Sequence, residues 1–308
     1  LVGRWTVRPV LAEEVALALS MILGSRGVPA DKSQVADFMR YAAGRDLSLL
    51  LIWVAVDDGV MGWAGLPMLN PGRTVLLLAP DATMIADPSA ATAAIESICQ
   101  HFAVRGAQLA QVLIDPAEGA TVELYTSRGF RVMAELLYMH RAIRRTAMPS
   151  PLPGPVRVLT YSPATHDLFA RAILATYEQS LDCPQLNGVR DIEDVIAGHK
   201  SAGVFDPADW FVLAQPDGPI AVLLMTRVNN LDGMEIVYVG VSPDARGRGL
   251  GDYLMKFAAG HTTARRCRHI ALAVDSNNAP AIKLYHRHGF SKSTSRMALM
   301  RDLLPRNP

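Results

Sequence analysis

Arg246-Gly247-Arg248-Gly249-Leu250-Gly251 packs three glycines and two guanidinium groups into six residues. It follows an apolar run, Ile236-Val237-Tyr238-Val239-Gly240-Val241, whose composition predicts a strand. It precedes Asp252-Tyr253-Leu254-Met255-Lys256-Phe257-Ala258-Ala259, which predicts a helix. Glycines at alternate positions let backbone approach a ligand with no side chain in the way. A helix opened there aims several free N–H groups, and the positive end of its dipole, at one point. Arg246 and Arg248 add positive charge. The chemistry suited to such a segment is the holding of a diphosphate. Two common diphosphate motifs do not fit. The Gly-Lys-Ser/Thr of a Walker loop is absent. A dinucleotide fingerprint places Gly-x-Gly-x-x-Gly directly after its strand, with an acid about 20 residues on. Asp275 stands where such an acid can serve, but the glycine spacing differs, and residues 242–246 separate strand from glycines.

A second constellation follows one predicted helix and one predicted strand later. After His269-Ile270-Ala271-Leu272-Ala273-Val274 come Asn278, Ala281, Leu284, Tyr285, Gly289 and Phe290 in the spacing Asn-x-x-Ala-x-x-Leu-Tyr-x-x-x-Gly-Phe. Asn278 suits a helix cap, Ala281 and Leu284/Tyr285 share a face, and Gly289 suits a helix stop. Arg246-x-x-Gly249-x-Gly251 resembles the acetyl-CoA signature of the GCN5-related N-acetyltransferase (GNAT) superfamily, Arg/Gln-x-x-Gly-x-Gly/Ala. The stretch from Asn278 is similar to that superfamily's other hallmark.

The resemblance implies a reaction and roles. Moving an acetyl group from acetyl-CoA to a primary amine needs a neutral amine, a stabilised oxyanion and a proton for the departing thiolate. Glu235, at the start of the strand before the cradle, matches the family's base. The other reading of Glu235 is an exposed carboxylate at a strand end. Strand alternation without a bulge puts Glu235, Val237, Val239 and Val241 on one face. By the resemblance, the pantetheine arm pairs with the edge at Val239 and Val241, and a main-chain N–H near Val241 meets the thioester carbonyl. Tyr285 is then the acid, or else a packed helix aromatic. Arg246, Gly247, Arg248, Gly249, Leu250 and Gly251 are expected on the phosphates. Asn278 is expected either on the pantetheine amide or as a plain cap. His286 and His288 read as helix-end surface residues; His199 is a second candidate base, though a lone His is more often structural or exposed. Acceptor selection is expected from residues 176–190, with Tyr177, Asp182 and Arg190, beside Glu178, as candidate contacts.

The elements that must position these residues occur twice. The run Met148-Pro149-Ser150-Pro151-Leu152-Pro153-Gly154-Pro155 can hold neither helix nor central strand, so 148–155 reads as a linker. Asp115, Leu124, Tyr125, Gly129 and Phe130 each stand 160 positions before Asp275, Leu284, Tyr285, Gly289 and Phe290, which marks an internal repeat. In the first half, strands are predicted at 5–10, 48–56, 61–68, 74–78 and 110–114. Helices are predicted at 13–23, 32–43, 88–104 and 120–127, and a last short strand at 136–141 matches one at 297–301. The expected architecture is α/β: two tandem GNAT-like (acyl-CoA N-acyltransferase) domains, each a mixed, mostly antiparallel sheet with helices on both faces. Residues 1–147 form one domain, and residues 156–308 the catalytic one. Where the first half needs its cradle it has Asp81 and Asp87 and no Arg-Gly run, so it reads as a degenerate, structural copy. This tandem layout resembles that of the mycothiol synthases within the superfamily.

Composition removes other classes. The chain has 308 residues, 50% hydrophobic and 19% charged, with a net charge of +1, so disorder and a general pull on nucleic acid or acidic membranes are not expected. Cys99, Cys183 and Cys267 are scattered, without zinc spacing, and read as reduced thiols; no metal is implied. The apolar run at 47–56 is too short for a bilayer and no signal pattern opens the chain, so a cytoplasmic location is expected. The chain starts at Leu1, and an upstream segment is not addressed by it. The expected partner is a small-molecule or peptide amine, with the oligomeric state open. Two rival functions remain: a non-catalytic acyl-CoA-binding sensor or interaction protein, and a dinucleotide oxidoreductase, disfavoured by the glycine spacing.

Overall fold

The computed structural model describes residues 4–44, 47–186, 188, 190–228 and 232–303. The chain forms two compact units, one of residues 1–133 with 297–308, the other of residues 134–296.

The first unit runs β1 (Thr6–Pro9), α1 (Val15–Ile22), α2 (Lys32–Ala43), β2 (Trp53–Asp57), β3 (Val60–Asn70), β4 (Thr74–Leu78), α3 (Pro88–Val104), β5 (Leu109–Ile114) and α4 (Gly119–Thr126), then the start of β6 (Arg131–Ala142). The second runs β7 (Arg157–Thr160), α5 (His166–Tyr177), α6 (Ile192–Ser201), β8 (Trp210–Gln215), β9 (Gly218–Val228), β10 (Gly233–Val241), α7 (Leu250–Ala264), β11 (His269–Asp275), α8 (Ala279–Arg287) and the start of β12 (Ser291–Asp302). The repeat read from the sequence is thus an element-by-element match. The strand predicted at 48–56 is shorter, because residues Leu49–Leu51 form a 3-10 turn ahead of β2.

Each sheet is antiparallel but for one parallel pair, β4 with β5 and β10 with β11. Helices cover both faces, as the resemblance led us to expect. In the first unit α1 and α2 pack over Val54, Ala64 and Leu66, while α3 closes the other face over Trp63, Val75 and Val112. In the second, α5 and α6 pack over Trp210, Val212 and Leu224, and α7 and α8 over Leu223, Ile236 and Leu272.

The domain boundary differs from the one the proline run suggests. Residues 136–142 of β6 pair with all of β11, and residues 297–302 of β12 pair with all of β5. Each half therefore gives its closing strand to the other unit. Residues 148–155 lie within the second unit, where Leu152 packs on its core and Met148 lies against Gly260. Proline excludes regular structure from this run but does not prevent packing.

Two side-chain ties brace α7, which opens at the cradle. His261 Nε2 lies 2.6 Å from the buried Asp209 Oδ1, and Arg265 Nε donates to the same oxygen at 2.5 Å. Among the described residues, no helix is long and apolar enough to cross a membrane.

The strand exchange yields an expectation opposite to that of a simple linker. A fragment 156–308 lacks the partner of β11 and exposes that edge, which favours aggregation. A fragment 134–296 keeps the whole second unit and is expected to be the more soluble and the more cooperatively folded of the two. Chromatography and thermal unfolding of both fragments check this; a monodisperse 156–308 with a transition as sharp as that of 134–296 contradicts it.

Candidate active site

The site begins with a parting of strands. β10 pairs with β11 only from Gly233 to Ile236, while its pairing with β9 continues to Val241. The register with β9 slips between Ile236 and Tyr238, making Val237 the extra residue of a bulge. Just past the end of β10, the Ser242 N–H is given to Ile220 O of β9, at 3.0 Å. Strand alternation then turns the N–H groups of Val239 and Val241 to the opposite edge, where β11 has diverged.

The bulge corrects the expected alternation. Met234, Ile236, Val239 and Val241 belong to the α7 face, and Tyr238 packs on the α5 side. Glu235 therefore shares a face with Tyr238 and Gly240, not with Val239 and Val241. It is half-buried, and burial raises its pKa above the ordinary carboxylate range. It is not an exposed strand-end acid.

A cleft of about 650 Å³ opens where β10 and β11 part. Val239, Gly240 and Val241 line one side, Asn278, Leu284 and Tyr285 another, and Gly247, Gly249, Leu250 and Gly251 its end. Gly247 and Gly249 have φ near +75° and +77°, which L side chains rarely adopt. An added Cβ at either meets nothing within 4 Å. Gly249 caps α7 without a side-chain acceptor, and the first bond onto the cap is Tyr253 N–H to Gly249 O at 3.1 Å. The N–H groups of Leu250, Gly251 and Asp252 thus have no acceptor within the helix. This is an anion site made of main chain.

The two arginines of the cradle behave differently from the expectation. Arg246 donates to Glu178 O at 2.7 Å, to Gln179 O at 3.1 Å and to Val241 O at 3.1 Å. Its fork satisfies carbonyls at the C-terminal end of α5 and ties them to the end of β10. Arg248 is exposed and lines a separate groove with Arg171, Glu178 and Asp217. Arg246 still lines the cleft. Two further cations there, Lys283 and Arg287, the latter paired with Asp252 at 3.2 Å, come from α8 and were not singled out in the sequence. Their i, i+4 spacing on a helix that carries the second motif was the available signal.

Tyr285 is buried, with its phenol pKa raised by desolvation and then by the charge of Asp182. It lines the cleft, whereas its counterpart Tyr125 is sealed in the first unit's core, its hydroxyl without a hydrogen-bond partner among the described residues. Asn278 caps α8, accepting from Ala281 N–H at 3.3 Å, and its side also lines the cleft. His288 pairs with Asp252 at 2.9 Å, and His286 Nδ1 lies 3.1 Å from Phe290 O, so both serve local structure.

Tyr177, Asp182 and Arg190 do converge. With Cys183, His199, Val237 and Tyr238 they line a smaller cavity of about 210 Å³ between α5, α6 and the bulge of β10. Residues 187 and 189 of the stretch 176–190 lie outside the described residues. Asp182 and Tyr238 line both this cavity and the cleft. Glu178 faces the outer groove instead. Burial pushes the Tyr177 phenol up to about 12 and raises the Asp182 carboxyl. Sequence reasoning placed His199 second to Glu235 as a lone histidine; nothing in its local pattern marks it, because its neighbours come from β10.

In the first unit, carboxylates stand where the second has its glycine cradle. Asp87 caps α3 and accepts from Ser89 N–H at 2.9 Å, with Arg4 on its other oxygen at 3.0 Å. Asp81 accepts from Arg26 N–H at 2.9 Å and Thr83 N–H at 2.8 Å. Carboxylates of the chain itself take the donors that a bound anion needs. Among the described residues, no group of three or more His, Cys, Asp or Glu side chains is placed to share a metal.

Comparison with known proteins agrees with this geometry. Residues 175–290 match the Acetyltransferase (GNAT) family, a span that contains the cleft, the cradle and both motifs. Mycothiol acetyltransferase from Acidothermus cellulolyticus is 29% identical, covering 92% of this chain and 88% of that protein. That from Streptomyces griseus is 28% identical, covering 91% and 88%. A GCN5-related N-acetyltransferase from Sphaerobacter thermophilus superposes with a TM-score of 0.62 at 16% identity, covering 99% of this chain and 98% of its own. A tandem GNAT protein from the clavulanic acid biosynthesis pathway gives 0.53 at 12% identity, with coverage of 98% and 100%. The solved structures speak to fold and the family match to the segment that holds the cleft: residues 175–290 form a GNAT-type acetyltransferase domain, within a chain whose whole length has a tandem GNAT fold.

Proposed function

We propose that the second unit transfers an acetyl group from acetyl-CoA to a primary amine by direct attack with both substrates bound, and that the first unit is structural. The observation that carries this reading is the uncapped start of α7 beside the free edge of β10, set against the self-filled counterpart in the first unit. The relatives are mycothiol acetyltransferases, which makes the amine that those enzymes acylate the first acceptor to test.

The residues fit acetyl-CoA. Main-chain N–H groups of 250–252 and the α7 dipole suit the diphosphate, with Lys283 and Arg287 nearby. The outward N–H groups of Val239 and Val241 suit the pantetheine amides and the thioester oxygen, where a fixed donor helps most as charge develops. Acetyl-CoA supplies the activated acyl group. Glu235 takes the amine proton, directly or through water, and its raised pKa brings it closer to working pH. Tyr285 stays protonated in its buried position and donates to the leaving sulfur. A catalytic role for both residues favours the enzyme over a non-catalytic acyl-CoA sensor.

Two tests follow. Gly249→Asp forces a side chain and a negative charge into the cradle at positive φ, and is expected to weaken acetyl-CoA binding by more than about 100-fold. Arg248→Ala, on the outer groove, is expected to stay within about fivefold, the scale of an exposed charge. Calorimetry reads both, and an unchanged Gly249→Asp overturns the cofactor assignment.

The second test separates base from acid. Glu235→Gln is expected to keep acetyl-CoA affinity and to lose about 10²–10⁴ in rate at neutral pH. In the parent, kcat/KM rises as pH passes upward through the raised Glu235 pKa and the carboxylate forms; the Gln variant lacks that limb and recovers in part at high pH as neutral amine accumulates. Tyr285→Phe is expected to recover with a donor bearing a more acidic thiol and not with pH. A Glu235→Gln profile that matches the parent from about pH 6 to 9 removes the base assignment.

A further inference from the structure

The 210 Å³ cavity holds an imidazole whose position the acetyl-transfer chemistry does not use. His199 Nε2 is shielded from solvent and has no hydrogen-bond partner among the described residues. Its ring stacks on Tyr238 at 5.5 Å between centroids, and the Tyr238 hydroxyl is already engaged by Thr176 Oγ1 at 2.8 Å. Trp63 Nε1, Trp210 Nε1 and the Tyr125 hydroxyl, also without a partner among the described residues, belong to side chains packed in apolar cores. His199 lines a cavity and shares it with Arg190, which donates to Asp194 O at 3.0 Å. Burying a hydrogen-bonding atom with nothing to bond is unfavourable, and a ligand group in the cavity removes the deficit. Burial, and then the charge of Arg190, holds the imidazole down to about 4, so it is neutral at physiological pH and suited to an uncharged partner.

At the cavity's junction with the cleft stands Asp182. Its Oδ1 accepts Asp275 N–H at 3.0 Å, and Asp275 Oδ2 in turn accepts Cys183 N–H at 3.3 Å. This reciprocal latch fixes the carboxylate at the end of β11, near enough to Tyr285 to raise that phenol's pKa. An ammonium group entering from the cavity meets Asp182 before it reaches the cleft, because Asp182 and Tyr238 are the side chains common to both.

We propose that this cavity is the acceptor subsite: Asp182 binds the acceptor's ammonium, and His199 hydrogen-bonds an uncharged polar group on the same molecule. The inference rests on the acetyl-transfer reading and specifies its acceptor class. The volume holds about seven water-sized groups at ~30 Å³ each, so the part of the acceptor that enters is small. It is a primary amine with a neutral hydrogen-bonding group a few bonds away, rather than a purely aliphatic amine.

The test uses the full chain, acetyl-CoA and two amines of equal size, 2-aminoethanol and n-propylamine, with rates expressed per neutral amine. The parent is expected to favour 2-aminoethanol by about tenfold in kcat/KM, the scale of one hydrogen bond to a buried group. His199→Phe, which keeps the ring stack, is expected to erase that preference, and His199→Gln to retain it. Asp182→Asn, which keeps an acceptor for Asp275 N–H, is expected to raise the KM of both amines about tenfold or more and leave acetyl-CoA affinity within about twofold. A preference that survives His199→Phe, an amine KM unmoved in Asp182→Asn, or refusal of both amines by the parent overturns the inference. Calorimetric acetyl-CoA binding by the parent separates the two levels: its absence sinks the acetyl-transfer reading, while intact binding with any of those outcomes sinks only the acceptor subsite.

Discussion

Parallel pairing between β10 and β11 ends after four residues, and most of the second unit's peculiarities answer that event. A strand edge left unpaired inside a protein carries donors and acceptors that must find partners. Here the edge at Val239 and Val241 faces a cleft instead of a neighbour. Keeping it open requires that the parted ends be held from outside. Arg246 does so on one side by binding the end of α5 to the end of β10 through three carbonyls. The Asp182–Asp275 latch does so on the other by binding the residues after α5 to the end of β11. The Tyr238–Thr176 hydrogen bond lies between them. The α5 end is thus tied to both diverging strands, and the bulge at Val237 turns Tyr238 toward it.

The two units show how one fold either keeps or fills such an opening. In both, a helix follows the fourth strand of the repeat. In the second unit that helix starts at a glycine in left-handed conformation and offers uncommitted N–H groups. In the first it starts at Asp87-Pro88, where the carboxylate accepts and the proline ring removes one donor. Each start is a sound way to begin a helix. They differ in whether the satisfying anion is part of the chain. The same contrast governs the paired tyrosines: the phenol of Tyr125 is enclosed in core, and that of Tyr285 borders the cleft.

What the sequence made legible follows from this. Gly247 and Gly249 were readable because only glycine suits their φ, and Asp81 and Asp87 because a carboxylate in an anion site contradicts its use. The repeat was readable because the motif Leu-Tyr-x-x-x-Gly-Phe serves the same packing in both copies. The structural ties of Arg246 were not legible because charge is local to the sequence, while the carbonyls it serves come from 67 and 68 residues away. The face of Glu235 was misjudged because a bulge has no signature in an unbroken apolar run. The exchanged closing strands were invisible for a related reason. Nothing in the sequence of β6 or β12 names one sheet over the other, and register is decided by the partner, not by the strand alone.

A net charge of +1 hides a strong local polarity. Where the cleft meets α7 lie the positive start of that helix and the side chains of Lys283 and Arg287, the latter paired with Asp252; where it meets the smaller cavity lies Asp182, tied to Asp275. Charges are screened over about 8–10 Å in physiological salt, so these groups act on what is inside the cleft and little beyond it. In the proposed reaction that separation assigns an approach to each substrate: an anionic carrier settles at the helix start, and a cationic amine at the carboxylates. Burial then converts binding into reactivity. Burial raises the pKa of Asp182, and an ammonium arriving beside it offsets that cost. Glu235, also raised by burial, is in that proposed reaction a stronger base than an exposed carboxylate. An ammonium held at Asp182 must pass a proton to such a base to become the neutral amine, the only form with an electron pair to give.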